Sequence, residues 1–221
     1  MQQFATTSPI TAVLDIPAGR IQFIAADRAD TTVEIGPADA AKSRDVKAAE
    51  QITVDYRDGV LRIETPAPQH KLLGSSGVVE VTVQLPAGSR VEAKTAAGEV
   101  RGVGRLGDVT VEGAQGSIEL DESAAASLTL LHGDITVGRL TGSAQITTQH
   151  GDIRVAEAVA GALVLRTQSG NISADAARGV SASLDAGTTH GRIRNALSNT
   201  GGAGVTIQAT TAHGDITARS L

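Results

Sequence analysis

Cysteine is absent from this chain of 221 residues, so neither a disulfide framework nor a thiolate metal site is open to it. Aromatic side chains are nearly absent as well: Phe4, Phe23 and Tyr56 are the full set. Beyond residue 56 a core must therefore be built from Val, Ile, Leu and Ala, which suits an interior only a few side chains across. Lysine stops at Lys94, and the net charge is −5. A nucleic-acid binder would carry a basic stripe and stacking aromatics, so we expect no nucleic-acid partner. No apolar run approaches the length that crosses a bilayer, so no membrane span is expected. The opening "MQQFATTSPITAVLDIP" has neither the basic n-region nor the apolar h-region of a signal peptide, and the expectation is a cytoplasmic protein.

What the chain does have is repetition. Hydrophobic residues make up 41%, enough to bury a core. A unit of Gly, a polar residue and then Ile or Val begins at Gly98, Gly107, Gly116, Gly133, Gly151, Gly170, Gly191 and Gly214, at intervals of 9, 9, 17, 18, 19, 21 and 23 residues. Each of the last four intervals holds a second apolar segment, beginning at Gly142, Gly161, Gly179 and Gly204. The working unit is thus about nine residues, a short strand and a turn, used twice per coil.

Within a unit the side chains alternate. In "GDIRVAE", Ile153 and Val155 share one face while Asp152 and Arg154 share the other, the period of two of a half-buried strand. The second residue after each repeat glycine is always β-branched and apolar: Val100, Val109, Ile118, Ile135, Ile153, Ile172, Ile193 and Ile216. A helical repeat would not start every unit with Gly and would show an i, i+3, i+4 stripe, and a propeller needs longer blades with aromatic signatures. The pattern predicts an all-β fold, a single-chain parallel β-helix or β-solenoid, expected to be right-handed, whose coils stack about 4.8 Å apart. Residues 91–221 are the β-helix repeats. Residues 1–90 read as a strand-rich N-terminal cap with one short helix inside 38–51, and Arg57-Asp58-Gly59 reads as a hairpin turn.

Four histidines, His132, His150, His190 and His213, each precede a repeat glycine, and Ser169 takes that place in the remaining coil. In register, His132 would neighbour His150 and His190 would neighbour His213. They are the only candidate metal ligands, and weak ones, because paired imidazoles with acids across the corner make no four-ligand cage. Imidazoles lining the turn and bonded to backbone are the expected reading, with no metal and no cofactor. The column after the glycine, Asp134, Asp152, Asn171, Arg192 and Asp215, reads as a structural ladder rather than a pair of catalytic acids, since Asn171 and Arg192 interrupt the acids and no aromatic platform for a sugar follows. No catalytic residue is assigned: a G-x-S-x-G elbow and any Cys nucleophile are missing. In the loop 65–77, Leu72 and Leu73 read either as side chains folded back on the cap or as a partner-binding tip.

The segments "ADRADTTVEIGPAD" and "VTVQLPAGSRVEAKTAAGEVRGVGRLGDV", the successive "GDI" units and the ending "HGRIRNALSN…HGDITARS" together resemble a bacterial β-strand-repeat family, common in actinobacteria, known as a domain of unknown function with the label "putative adhesin". That resemblance implies a β-helix-like fold and no established enzymatic activity. On these grounds we expect a non-enzymatic scaffold or protein-interaction protein, its partner another protein or a second copy of itself. Two alternatives stand beside it: a self-assembling, cytoskeleton-like polymer subunit joined coil end to coil end, and a carbohydrate-active hydrolase or lyase.

Overall fold

The computed structural model describes residues 1–66, 77–202 and 204–221. Seventeen strands and one helix follow one another in the described residues. β1 (Gln2–Ala5), β2 (Thr11–Asp15), β3 (Ala18–Ala26) and β4 (Asp30–Pro37) precede the helix α1 (Ser43–Gln51). β5 (Thr53–Arg57), β6 (Val60–Glu64) and β7 (Val79–Pro86) lead into β8 (Arg90–His132), which runs through 43 residues and several corners without a break. Then come β9 (Ile135–Leu140), β10 (Ala144–His150), β11 (Ile153–Ala158), β12 (Gly161–Ser169), β13 (Ile172–Ala176), β14 (Ala182–His190), β15 (Ile193–Ala196), β16 (Val205–His213) and β17 (Ile216–Ser220).

The strands form two parallel ladders joined through β8. One runs β6, β2, β8, β10, β12, β16, β14, and the other β7, β3, β8, β9, β11, β13, β17, β15. This is the expected β-solenoid, with two strand segments per coil. The parallel stack extends into the first ninety residues, because β2 and β3 both pair with β8 in register. At that end the strand direction reverses. β5 adds antiparallel to β6, β4 antiparallel to β7, and β1 antiparallel to β4. The rings of Phe4 and Tyr56 meet there, centroids 5.3 Å apart. The β5–β6 turn uses Asp58 (φ 51) and Gly59 (φ 77), the pair of positive φ angles that a two-residue hairpin turn requires. The helix packs on β4 and β7, where the buried Asp45 carboxylate accepts the Val78 N–H at 3.0 Å.

The interior is a column of aliphatic side chains. Ile118, Ile135, Ile153, Ile172 and Ile216 lie in consecutive register and none exceeds 1% exposure. Stacking β-branched residues over one another at each coil removes their apolar surface from water, worth roughly 25 cal/mol per Å². That is why the chain repeats Ile or Val at this place. One of the eight repeat positions departs from the expectation: Ile193 is 45% exposed. It lies on a terminal coil, with a neighbour on one side only.

Chain order and stacking order differ at this end. The coil formed by β16 and β17 is not last in space but lies between the β12–β13 coil and the β14–β15 coil. Stacked in chain order, the final "HGDITARSL" would carry the open strand edge. Instead that segment is paired on both sides, and the open edge belongs to β14 and β15.

Candidate functional site

The repeated corner is the feature that concentrates polar groups, and its residues do three separate things. The glycine lets successive coils touch. A Cβ on Gly151, where φ is +146°, would lie 2.1 Å from the carbonyl oxygen of Gly133 on the coil before. Only Gly permits that approach and that φ without strain.

The residue after the glycine links coil to coil through its side chain. Oδ1 of Asp134 accepts the N–H of Asp152 at 2.8 Å, Oδ1 of Asp152 accepts the N–H of Asn171 at 2.7 Å, Oδ1 of Asn171 accepts the N–H of Asp215 at 2.9 Å, and Oδ1 of Asp215 accepts the N–H of Arg192 at 2.9 Å. The Arg192 guanidinium also bonds Oδ2 of Asp215 at 2.9 Å. Accepting the Arg192 backbone N–H, and then its guanidinium, holds the Asp215 carboxyl below the ordinary carboxylate range.

The threonine three residues before the glycine forms a third ladder. The Oγ1 hydroxyls of Thr148, Thr167, Thr211 and Thr188 donate to the carbonyls of Gly133, Gly151, Gly170 and Gly214, at 3.2, 3.1, 3.1 and 3.1 Å. Sequence reasoning passed over these threonines, although the spacing Thr-x-His/Ser-Gly recurs four times and carries the signal. It also passed over Asp175, which is 2% exposed and held by the Arg219 guanidinium at 2.9 Å.

The four histidines come together as two pairs. His132 stacks on His150 with ring centroids 5.0 Å apart and planes 20° apart; His190 stacks on His213 at 4.9 Å and 2°. Ser169 sits between the pairs, in register with His150 on one side and His213 on the other. All four are exposed. The rings stack on one another, a different arrangement from the backbone-bonded imidazoles expected. Two nitrogens sharing a zinc ion at about 2.1 Å each can be at most about 4.2 Å apart. Rings stacked face to face at 5 Å do not converge on such a point. Among the described residues no group of three or more His, Asp or Glu is placed to hold a metal. Leu72 and Leu73 lie outside the described residues.

The outward faces are polar and flat. Gln145, Val164, Gln208 and Asp185 form one column and Thr147, Arg166, Thr210 and Gly187 the next. Thr136, Arg154, Ser173, Thr217 and Arg194 form another on the second ladder. Nearer the N-terminus the columns are ionic. Arg20 bridges Glu80 and Glu99 at 3.3 and 3.1 Å, Lys94 meets Glu112 at 3.3 Å, and Arg139 meets Glu157 at 2.7 Å. A groove of about 400 Å³ runs beside Lys94, edged by Asp15, Glu64, Glu92 and Glu112. Among the described residues no helix is long and apolar enough to cross a membrane.

A two-ladder parallel β-solenoid whose corner acids serve as backbone acceptors defines an all-β repeat protein, built to hold a shape. The chain belongs to the family described as Toastrack DUF4097, whose model matches residues 13–220. Among solved structures it is similar to one described as a putative adhesin from Bacteroides fragilis NCTC 9343, at 14% identity and a TM-score of 0.61, covering 98% of this chain and 95% of that one. It also aligns with a putative adhesin from Parabacteroides merdae ATCC 43184, at 11% identity and a TM-score of 0.45, over 100% of this chain and 95% of that one. A putative lipid binding protein from Parabacteroides distasonis ATCC 8503 aligns at 13% identity and a TM-score of 0.46, over 98% and 95%. No curated protein matches the sequence.

Proposed function

We propose that this chain is a non-enzymatic scaffold that presents the outer columns of its solenoid to a protein partner. One observation carries the reading: the carboxylates of the repeated corner are occupied as acceptors of backbone N–H groups. A carboxylate held that way is a structural member, and glycoside cleavage needs two acids free to exchange protons across a bound sugar. The groups left to face outward are Thr, Gln and Arg in straight columns one coil apart. Arg154 and Arg166 are exposed, with no ion-pair partner among the described residues. Such a surface suits many weak contacts spread over a rigid face. Adhesion, as the neighbour of similar fold is described, is one form those contacts would take.

The test is capture from the native cell with the tagged chain, in parallel with Arg154→Glu/Arg166→Glu. Specific retention of a protein by the parent and its loss with the variant supports the reading. Equal capture by both would sink the choice of surface. Turnover of a polyuronide or other glycan by the parent, abolished in Asp152→Asn, would replace it with the enzymatic reading.

Self-assembly is the second reading, favoured by the open edge of β14 and β15 and the exposed Ile193. Among the described residues the opposite end is covered by the antiparallel strands β1, β4 and β5, and no parallel edge is left open there for head-to-tail growth. Sedimentation over a concentration series decides, a monomer throughout excluding the polymer.

A further inference from the structure

The last two coils stack out of chain order, and backbone pairing alone does not choose that arrangement. Leu163 lies beside Ile207 and Ile207 beside Leu184, so β14 would meet β12 in an equivalent register if the two coils changed places. The same holds on the other ladder for Ile172, Ile216 and Ile193. Both coils carry the Thr-x-His-Gly corner, at Thr188 and at Thr211, so the hydroxyl and glycine ladders close in either order.

Two polar contacts remove this degeneracy. Asp215 acts as a relay: its N–H donates to Asn171 and its Oδ1 accepts from Arg192. Arginine has five donors and no acceptor. With the coils exchanged, Arg192 could still donate to Asn171, but it would offer nothing to the N–H of Asp215. A residue that only donates must come last. The second contact is half-buried, its Asp175 carboxylate enclosed and its Arg219 guanidinium exposed. Asp175, Arg219 and Ala196 share a register position, so exchange would set the buried Asp175 carboxylate beside Ala196 in place of its guanidinium. A buried charge stripped of its partner is among the costliest defects a fold can carry.

We propose that Asp215, Arg192 and the Asp175–Arg219 pair form an addressing device, which steers the coil of residues 205–220 into the slot and makes the coil of residues 182–196 the terminator. Gly201 at φ +99° and Gly202 at φ +68° let the chain turn back toward that slot after β15. The stacking order of this solenoid is therefore set by side chains rather than by the order of synthesis.

The chain has no cysteine, so engineered thiols report the order directly. Val164, Gln208 and Asp185 occupy one outward column. Neighbouring coils place Cα atoms within the disulfide range, whereas coils two apart, at about 10 Å, are beyond it. Val164→Cys/Gln208→Cys is expected to oxidise to an internal disulfide, and Val164→Cys/Asp185→Cys to remain reduced. In a background carrying Arg192→Asp, Asp215→Arg, Ala196→Arg and Arg219→Ala the address is transposed, and the yield ratio of the two crosslinks is expected to reverse by at least about tenfold. A folded transposed chain that keeps the 164–208 crosslink would overturn the proposal, as would a 164–185 crosslink in the parent. Should the fourfold variant not fold, Asp215→Asn and Asp215→Arg decide. Asn keeps an acceptor and should hold the parental ratio, while Arg should raise the share of 164–185. Equal ratios would overturn the relay.

Discussion

The backbone N–H of Asp215 donates to Oδ1 of Asn171 at 2.9 Å across 44 positions of chain, tying the C-terminal coil to one that precedes it by two in sequence. The bond belongs to a column in which every side chain but the last both positions itself and serves its neighbour. Removing one member should therefore be felt at the next coil. Asn171→Ala leaves the Asp215 N–H to water, since the corner is exposed, and is expected to lower unfolding stability by about 1 kcal/mol. Asn171→Asp keeps the acceptor but sets four carboxylates in a row, Asp134, Asp152, the new acid and Asp215. Its deficit should shrink as salt is added, where that of the alanine variant should not. Denaturant titrations at low and high ionic strength separate the two.

Position in the stack decides what the same residue type is worth. Ile153 is 1% exposed and has a coil on each side; Ile193 is 45% exposed at the open end. Ile153→Asp should cost about 3–5 kcal/mol by burying an unpaired charge. Ile193→Asp should stay within roughly 0.5 kcal/mol, because its carboxylate remains in water. Equal losses in melting temperature would mean that the terminal coil is covered in solution.

That contrast marks where the sequence was readable and where it was not. The coil, the glycine corners and the aliphatic column follow from local rules, an alternation of two and a Gly at each change of direction, so Ile135, Ile153 and Ile172 could be placed from the chain alone. The pairing of His132 with His150 and of His190 with His213 followed from the same register. Which coil comes last is not local. It depends on Arg192 lacking an acceptor and on Asp175 needing Arg219, relationships visible only once both coils are set side by side. The stacking of imidazoles on one another also escaped, because hydrogen-bonding capacity suggested backbone partners where ring-to-ring contact along the stack prevailed. The corner ladder itself was legible as a column of residues, while its chemistry, a side-chain oxygen taking the next coil's N–H, was not.

Acid should loosen the end of the stack through Asp215. Its carboxyl is held below the ordinary carboxylate value by the Arg192 backbone N–H and guanidinium. A group whose folded pKa is depressed adds stability that is complete above its unfolded value, about 3.9, and is lost as pH falls through the lower folded value. The chain should therefore be insensitive to this group at neutral pH and lose its contribution only below about pH 4. Asp215→Asn, which cannot ionise, should show a shallower fall in melting temperature over that window than the parent. Identical acid profiles would mean that the depression plays no part in stability.

The glycine corners make the strictest demand on sequence, and two substitutions of the same kind expose it. A methyl on Gly151 would sit 2.1 Å from the Gly133 carbonyl oxygen, and φ there is +146°, so neither the backbone nor its neighbour can yield without opening the corner. Gly151→Ala is expected to cost about 3 kcal/mol or more, the sum of strain in a disfavoured backbone region and a disrupted inter-coil contact. At Gly187, in the outward column of β14, a Cβ would meet nothing within 4 Å. Gly187→Ala should therefore be neutral or stabilise by up to about 1 kcal/mol through the narrower unfolded ensemble. Calorimetric melts of the two variants beside the parent make the comparison. If Gly151→Ala melts with the parent, the coils do not touch at that corner, and the close-packed ladder described for it is wrong.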